Sequence, residues 1–139
     1  MDPTRYTTYW INQASRLLVR QFEEVLRPHG LGMAYLPVIS ALESGPKTQS
    51  ELLQSIPVSQ PTLTALLKRM ERDGVITREA KPGDRRASLL HLTEQALTNL
   101  PAANAAMLDV AKQAMTGLSE TDESQLQALL KTVCQNLER

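Results

Sequence analysis

An aspartate and two arginines stand side by side in the middle of the chain, at Asp84, Arg85 and Arg86. The preceding Pro82-Gly83 pair suits the centre of a type II turn and therefore predicts a hairpin tip. An arginine at such a tip can enter the minor groove of DNA, where narrow A·T-rich sequence has enhanced negative potential. We expect Asp84 to fix the rotamer of Arg86; the alternative is an exposed ion pair that only rigidifies the hairpin.

A second group of polar side chains begins a helix that is predicted to follow Ser59. One face of this helix is apolar at the spacing of a core, through Val58, Leu63, Leu66, Leu67 and Met70. The other face carries Ser59, Gln60, Thr62, Thr64 and Lys68, with Pro61 in the first turn. Glutamine can pair with adenine, hydroxyl groups can bind bases or phosphates, and lysine can neutralise a phosphate. These residues are candidate DNA contacts, although Ser59 and Thr62 could instead only cap the helix.

The charge distribution fits a DNA-binding segment within a neutral chain. The sequence has 15 basic and 15 acidic residues, which argues against a protein that coats nucleic acid. Residues 68–86 hold seven basic and four acidic residues, a net charge of +3, whereas residues 94–139 have a net charge of −3. Charge alone leaves an ordinary solvated surface as the alternative.

The composition argues against several other classes of protein. A length of 139 residues with 42% hydrophobic residues favours one domain. With one cysteine and two histidines, the chain can hold neither a disulfide framework nor a typical zinc site, and we expect no metal or cofactor. It has no nucleophile–base signature or phosphate-cradling glycine loop, so we do not expect an enzyme. No apolar run reaches the roughly 18 residues of a membrane span, and we expect a cytoplasmic protein without membrane contact.

Periodicity and capping signals place the polar groups on a mainly α-helical chain. We predict helices at about residues 6–26, 34–43, 48–55, 59–73, 93–115 and from 119 onwards, and strands at 75–79 and 87–92. Pro37 predicts a late start or a kink in the second helix, and Pro101 a kink or a break in the fifth. The third and fourth helices match a helix-turn-helix. Together with a small two-stranded β-wing they predict a winged helix-turn-helix that binds double-stranded DNA.

A longer motif surrounds these residues and extends over most of the chain. It runs from Thr48-Gln49-Ser50-Glu51-Leu52 through Met70-Glu71-Arg72-Asp73-Gly74-Val75-Ile76 to Asp84-Arg85-Arg86 and Leu92-Thr93. This motif resembles the MarR family of bacterial transcription regulators. The resemblance implies one domain over 1–139, with the winged helix-turn-helix at 31–93 and dimerisation helices at 1–30 and 94–139. It also implies a homodimer on a pseudo-palindromic operator, with Arg86 in the minor groove and oriented by Asp84.

The last predicted helix supports a dimer independently of the resemblance. Its apolar stripe consists of Leu126, Leu129, Leu130, Val133 and Leu137. A terminal helix with such a stripe needs a surface to cover it, and packing within its own chain is the alternative to a second copy. Two-fold symmetry would place the half-sites about 10 base pairs apart.

Cys134, beside this stripe, is predicted to be a packed, inert thiol rather than a redox sensor.

Aromatic residues at the start of the first helix raise the question of an effector. In relatives this region borders both the dimer contact and a ligand pocket, so the candidate pocket walls here are Trp10, Ile11, Ala14 and Met33. Arg16 could pair with a carboxylate of a small aromatic or anionic effector. The alternatives are that the aromatic rings seal the dimer interface and that Arg16 only faces water.

The prediction as a whole is a sequence-specific regulator: a homodimeric repressor released from DNA by a small-molecule effector. A winged-helix module that docks another protein is the main alternative, and a regulator without a small-molecule ligand is a further one. The basic segment at 68–86 favours DNA over a protein partner.

Overall fold

The computed structural model describes residues 1–138, without the side chain of Arg85. Within that range the chain forms six α-helices and one two-stranded antiparallel sheet. In chain order the elements are α1 (Thr7–Leu26), α2 (Leu36–Leu42), α3 (Gln49–Ser55), α4 (Gln60–Arg72), β1 (Ile76–Lys81), β2 (Asp84–Leu92), α5 (Glu94–Ala114) and α6 (Glu120–Leu137). The predicted mainly helical fold with a small β-wing is confirmed.

The first two helices are joined by turns that suit their glycine and proline residues. A 3-10 turn over Arg27–His29 follows α1, and Gly30 ends it with a φ of 71°, a left-handed conformation that glycine adopts without strain. A second 3-10 turn, Met33–Tyr35, precedes α2, so that Pro37 falls in the first turn of that helix. A proline is tolerated there because its missing N–H would have no partner. The predicted late start of the second helix is confirmed.

Local capping sets the start of both helices of the helix-turn-helix. The Thr48 hydroxyl accepts the Glu51 N–H at 3.2 Å and the Glu51 carboxylate accepts the Thr48 N–H at 3.2 Å, which forms a capping box at the start of α3. The hydroxyl of Ser59 accepts the N–H of Thr62 at 3.3 Å and caps α4. Pro61 lies in the first turn of α4, as predicted.

The wing extends further than its sequence indicates. Its strands pair from Ile76 opposite Leu92 to Lys81 opposite Asp84, and the register shifts between Ala80 and Lys81. Residues 85–87 therefore bulge from β2, and the tight Pro82-Gly83 turn closes the hairpin with Gly83 at a φ of 82°. Asp84 and Arg86 belong to β2 rather than to the loop before it.

A short bridge that we did not predict attaches the wing to α3. The Leu90 N–H donates to the Lys47 carbonyl at 2.8 Å, and the Lys47 N–H donates to the Leu90 carbonyl at 3.3 Å. Because Lys47 directly precedes the cap of α3, this pair fixes the base of the wing against the start of the helix-turn-helix.

Helix α5 continues through Pro101 as one helix, so of the predicted kink or break the break is wrong, and the kink stays a prediction. Proline removes one hydrogen bond from a helix interior and crowds the preceding turn, which costs about 3 kcal/mol. Burial of neighbouring side chains offsets that cost, because Leu100 and Ala103 lie in the core and α5 packs along α1.

The core lies between the helix-turn-helix, the wing and the adjoining ends of α1 and α5. Its most deeply buried side chains are Leu26, Val38, Ile39, Leu52, Leu63, Leu67, Met70 and Leu90. Helix α6 adds no buried residue to this core, and Leu129 and Leu137 are 66% and 74% exposed. Packing of the α6 stripe within its own chain, the alternative to a partner, is therefore not observed over the described residues.

Among the described helices, none combines the length and the apolar composition needed to cross a membrane.

Candidate nucleic-acid interface

The outer face of α4 gathers most of the residues that we predicted to contact DNA. Gln60, Pro61, Thr64 and Lys68 line one shallow groove on this helix, together with Ala65. Gln60, Pro61 and Lys68 are exposed and Thr64 is half-buried. Because the core side of α4 is held by its leucines and Met70, this polar face must point away from the protein.

Ser59 and Thr62 are engaged with each other at the start of α4. Besides capping the helix, the Ser59 hydroxyl donates to the Thr62 hydroxyl oxygen at 2.9 Å. Ser59 therefore caps α4, as the alternative to a DNA contact predicted. Both side chains remain exposed at the same end of the helix as Gln60.

Thr64 is tied to the preceding helix by a contact that the sequence analysis missed. The Gln49 side-chain amide donates to the Thr64 hydroxyl oxygen at 2.7 Å. Gln49, Gln54, Gln60 and Thr64 together line a polar groove between α3 and α4. The position of Gln49 just after the Thr48 cap placed it in the first turn of α3, but only the packing of the two helices shows that it faces Thr64.

Asp84 holds the backbone of the wing rather than the guanidinium group that we expected. Its carboxylate accepts the backbone N–H of Arg86 at 3.0 Å, and Asp84 and Arg86 form no ion pair within the described chain. The Arg86 side chain is exposed, so the predicted fixing of its rotamer by Asp84 is not observed. The aspartate instead shapes the bulge that presents Arg86. The side chain of Arg85 lies outside the described residues.

An ion pair braces the wing against the end of α4. The Arg78 guanidinium pairs with the Glu71 carboxylate and also donates to the Ser88 hydroxyl at 3.4 Å, which spans both strands of the wing. The guanidinium group of Arg78 therefore stabilises the wing. Lys68 and Arg86 take part in no ion pair among the described residues, so their charges remain available to a phosphate.

The candidate effector residues are not brought together within one chain. Trp10, Ala14 and Arg16 are exposed on α1 and Ile11 is partly buried, whereas Met33 packs against the core near α2. The Trp10 indole donates to the Thr4 carbonyl at 2.8 Å, and Arg16 bonds to Gln13 of its own helix. None of these five residues lines the cleft between α2 and α5, the cleft beside Tyr35 and Asp73, the two grooves along α4 or the cleft on α6.

Cys134 is exposed on α6, so the prediction of a packed thiol is wrong for the single chain. The reason is that α6 has no partner surface within its own chain. Over residues 1–138, no group of three metal-binding side chains forms a site.

Comparison with known proteins identifies the class to which this winged helix belongs. The MarR family model matches residues 29–87, from the turn after α1 into the wing. YwoH of Bacillus subtilis, an HTH-type transcriptional regulator, is 30% identical over 132 residues, which cover 94% of this chain and 96% of that protein. The chain belongs to the MarR family.

Two transcriptional repressors also resemble the chain over most of its length. IacR of Pseudomonas putida, an HTH-type transcriptional repressor, is 25% identical over 131 residues, covering 94% of this chain and 78% of IacR. The repressor CouR, solved in complex with a 23-mer DNA duplex, matches with a TM-score of 0.77 at 22% identity over 94% of each chain, a likeness in fold. The protein is a DNA-binding transcriptional regulator of the MarR family and not an enzyme.

Proposed function

We propose that the protein is a homodimeric repressor that acts in the cytoplasm on a pseudo-palindromic operator in double-stranded DNA. The observation that carries this proposal is the coexistence of two uncovered surfaces on one chain. One is the polar face of α4 with the wing, and the other is a set of exposed apolar side chains on the terminal helices. Residues 31–93 would read the DNA, and residues 1–30 and 94–139 would join two copies.

The apolar surface supports the dimer. It includes Leu17 and Val19 of α1, Leu108 of α5, and Leu126, Leu129, Leu130 and Leu137 of α6, which are all exposed in the single chain. Exposed apolar side chains in this number on a regulator that remains in water favour a partner that covers them. A second copy offers the same surface about a two-fold axis, and such an isologous contact closes after two chains.

The polar face of α4 and the wing would bind different grooves of the DNA. The start of α4, with Ser59, Gln60, Pro61, Thr62 and Thr64, would enter the major groove, and Lys68 would contact a phosphate. The wing would place Arg86, with Arg85 beside it, at the minor groove, and Asp84 would hold the bulge that presents them. The repressors IacR and CouR, both similar over 94% of this chain, favour repression over activation.

An effector would act by binding the DNA-competent and incompetent dimers with different affinity. The exposed Trp10 and Arg16 would then meet Met33 and the partner's α1 only in the dimer, which would complete a pocket for a small aromatic or anionic molecule. Titrating operator-bound protein with benzoate tests this part: dissociation that requires Arg16 supports it, and an unchanged complex at saturating benzoate favours a regulator without such a ligand.

The wing is tested by replacing Arg86 with alanine. Fluorescence anisotropy on a duplex selected from genomic fragments by the wild-type protein should show at least tenfold weaker binding, with a salt slope that is smaller by about 0.9 for each phosphate that the variant no longer neutralises. Arg5→Ala, which removes an exposed arginine far from the wing in sequence, serves as the control and should bind as wild type does. Equal affinity and equal slope for Arg86→Ala would contradict the assignment of the wing to DNA.

A further inference from the structure

A three-residue turn joins α1 to the far end of the reading helix α4 by two side-chain hydrogen bonds. In the 3-10 turn Met33–Tyr35, the Met33 N–H donates to the Glu23 carboxylate of α1 at 2.8 Å. Two residues later, the Tyr35 hydroxyl donates to the Asp73 carboxylate at 2.5 Å. Asp73 is the C-terminal cap of α4, so the turn is tied to both helices at once.

The position of Asp73 is unfavourable for the helix that it ends. The carboxyl end of a helix carries partial negative charge, so a carboxylate there raises the free energy of the folded state. Asp73 is compensated by the Tyr35 hydroxyl and by the Arg72 guanidinium, whose Nε lies 3.3 Å from Oδ1. The hydrogen bond from Tyr35 is the main reason that the pKa of Asp73 lies below its usual value. Asp73 is therefore unfavourable for α4 on its own but is stabilised by its contacts with Tyr35 and Arg72.

The tyrosine side of the contact is equally constrained. Tyr35 is only 8% exposed, and burial, with the neighbouring Asp73 as a second cause, raises the pKa of its hydroxyl. A hydroxyl on a buried ring is destabilising without a hydrogen-bond partner, so loss of the Asp73 carboxylate would leave the Tyr35 hydroxyl unsatisfied. The Arg69 guanidinium lies over the Tyr35 ring, 6.0 Å from its centre. The last turn of α4 is therefore held against Tyr35 from two sides.

The turn also packs against α1 beside this first bond. A Cβ added at Gly32 would lie 3.4 Å from a carboxylate oxygen of Glu23, an ordinary van der Waals contact. Glu23, Met33, Tyr35 and Asp73 therefore form a continuous connection from α1 to the end of α4, and none of them belongs to the DNA-facing surface formed by the start of α4 and the wing.

We propose that Tyr35 and Asp73 are positioning residues that set the place of α4 relative to α1, and through it the distance between the two reading helices on the operator. The proposal rests on the homodimer proposed above, because α1 relates the two copies only if it lies at the two-fold interface. Neither residue touches DNA; both act through the orientation of α4. Their contribution should appear as discrimination between half-site spacings rather than as affinity for a single half-site.

The test compares palindromes that contain the same half-sites at the selected spacing and at a spacing longer by a base pair. The full-length wild type should prefer the selected spacing. Tyr35→Phe keeps the ring and removes the hydroxyl. In this variant the ratio of the dissociation constants for the longer and the selected spacing should fall about fivefold, the factor expected for one hydrogen bond. Binding to a duplex with one half-site should be unchanged.

Two further variants separate positioning from stability. Asp73→Ala should lose the same preference as Tyr35→Phe, and the double variant should lose no more than either, because the two side chains act as one unit. Asp73→Asn keeps an acceptor oxygen for the hydroxyl and should retain the preference. Ser44→Ala, which removes a hydroxyl bonded at 3.1 Å to the Ala41 carbonyl at the end of α2, is the matched control and should match wild type.

The outcomes are distinct for the two proposals. A Tyr35→Phe protein with a lower melting temperature but the wild-type spacing preference would overturn the positioning role and leave the dimer intact. If Tyr35→Phe does not fold, the comparison of Asp73→Asn with Asp73→Ala decides the same question. A wild-type protein that shows no spacing preference would overturn the palindromic dimer, and the positioning role with it.

Discussion

At the scale of single residues, the exposed polar side chains of α4 were predictable from the sequence, but their hydrogen-bond partners were not. The apolar repeat of α4 identifies which positions face outward, and the structure exposes Gln60 and Lys68 as expected. The bond from Gln49 to Thr64 depends on how α3 and α4 pack together, and spacing along one helix carries no information about it. The contact of Asp84 with the Arg86 N–H is local, within β2, and was misassigned because the same Asp-x-Arg spacing allows the carboxylate to bind either the guanidinium group or the backbone of Arg86.

The Gln49–Thr64 bond leads to a prediction about base reading. Thr64→Val removes the hydroxyl and keeps the shape, leaving the Gln49 amide without its partner, so operator binding should weaken by about five- to tenfold. Thr64→Ser keeps the hydroxyl and should bind within about twofold of wild type, a difference of under ~0.5 kcal/mol. Anisotropy titrations of both variants and of Gln49→Ala measure this.

If Gln49 acts through Thr64, combining Gln49→Ala with Thr64→Val should cost no more than Thr64→Val alone. Fully additive losses would show instead that the two residues contact DNA separately.

At the scale of elements, local signals predicted the helices and failed where tertiary packing decides. Capping boxes and N-terminal hydroxyls placed the starts of α3, α4 and α6 within a residue or two, because a cap is satisfied within one turn. The Lys47–Leu90 bridge joins segments far apart in the chain and has no local signature. The Pro101 signal was correct for an isolated helix, but burial of Leu100 and Ala103 keeps α5 whole.

Pro101→Ala should therefore stabilise the protein. Alanine restores the N–H that can donate to the Leu97 carbonyl, and the interior position makes proline costly, so we expect a gain of about 1–3 kcal/mol in the free energy of unfolding. Urea denaturation followed by circular dichroism measures this gain.

Pro37→Ala is the matched control, because the same change in a first helical turn restores no helical hydrogen bond. Its free energy of unfolding should stay the same or fall slightly. A Pro101→Ala protein that is less stable than wild type would mean that α5 needs the proline to fit against α1.

At the scale of the whole molecule, the single chain leaves the apolar stripe of α6 uncovered. The core of the winged helix is closed, whereas α6 has no buried residue and Leu108 of α5 is 55% exposed. The apolar stripe of α6 was evident in the sequence, but its partner was not, because no pattern within one chain distinguishes a surface covered internally from one covered by a second copy. The same ambiguity explains why Cys134 was predicted to be packed and is exposed in the single chain.

Sedimentation velocity of the protein with a selected palindromic duplex measures how many chains bind each operator. We predict that two chains bind each duplex, that the protein alone sediments as a dimer, and that Leu129→Glu, which places a charge in the apolar stripe, yields monomers with weakened operator binding. Gln135→Glu adds the same charge at an exposed polar position of α6 and should stay dimeric. A wild-type protein that sediments as a monomer and binds one chain per duplex would contradict the account.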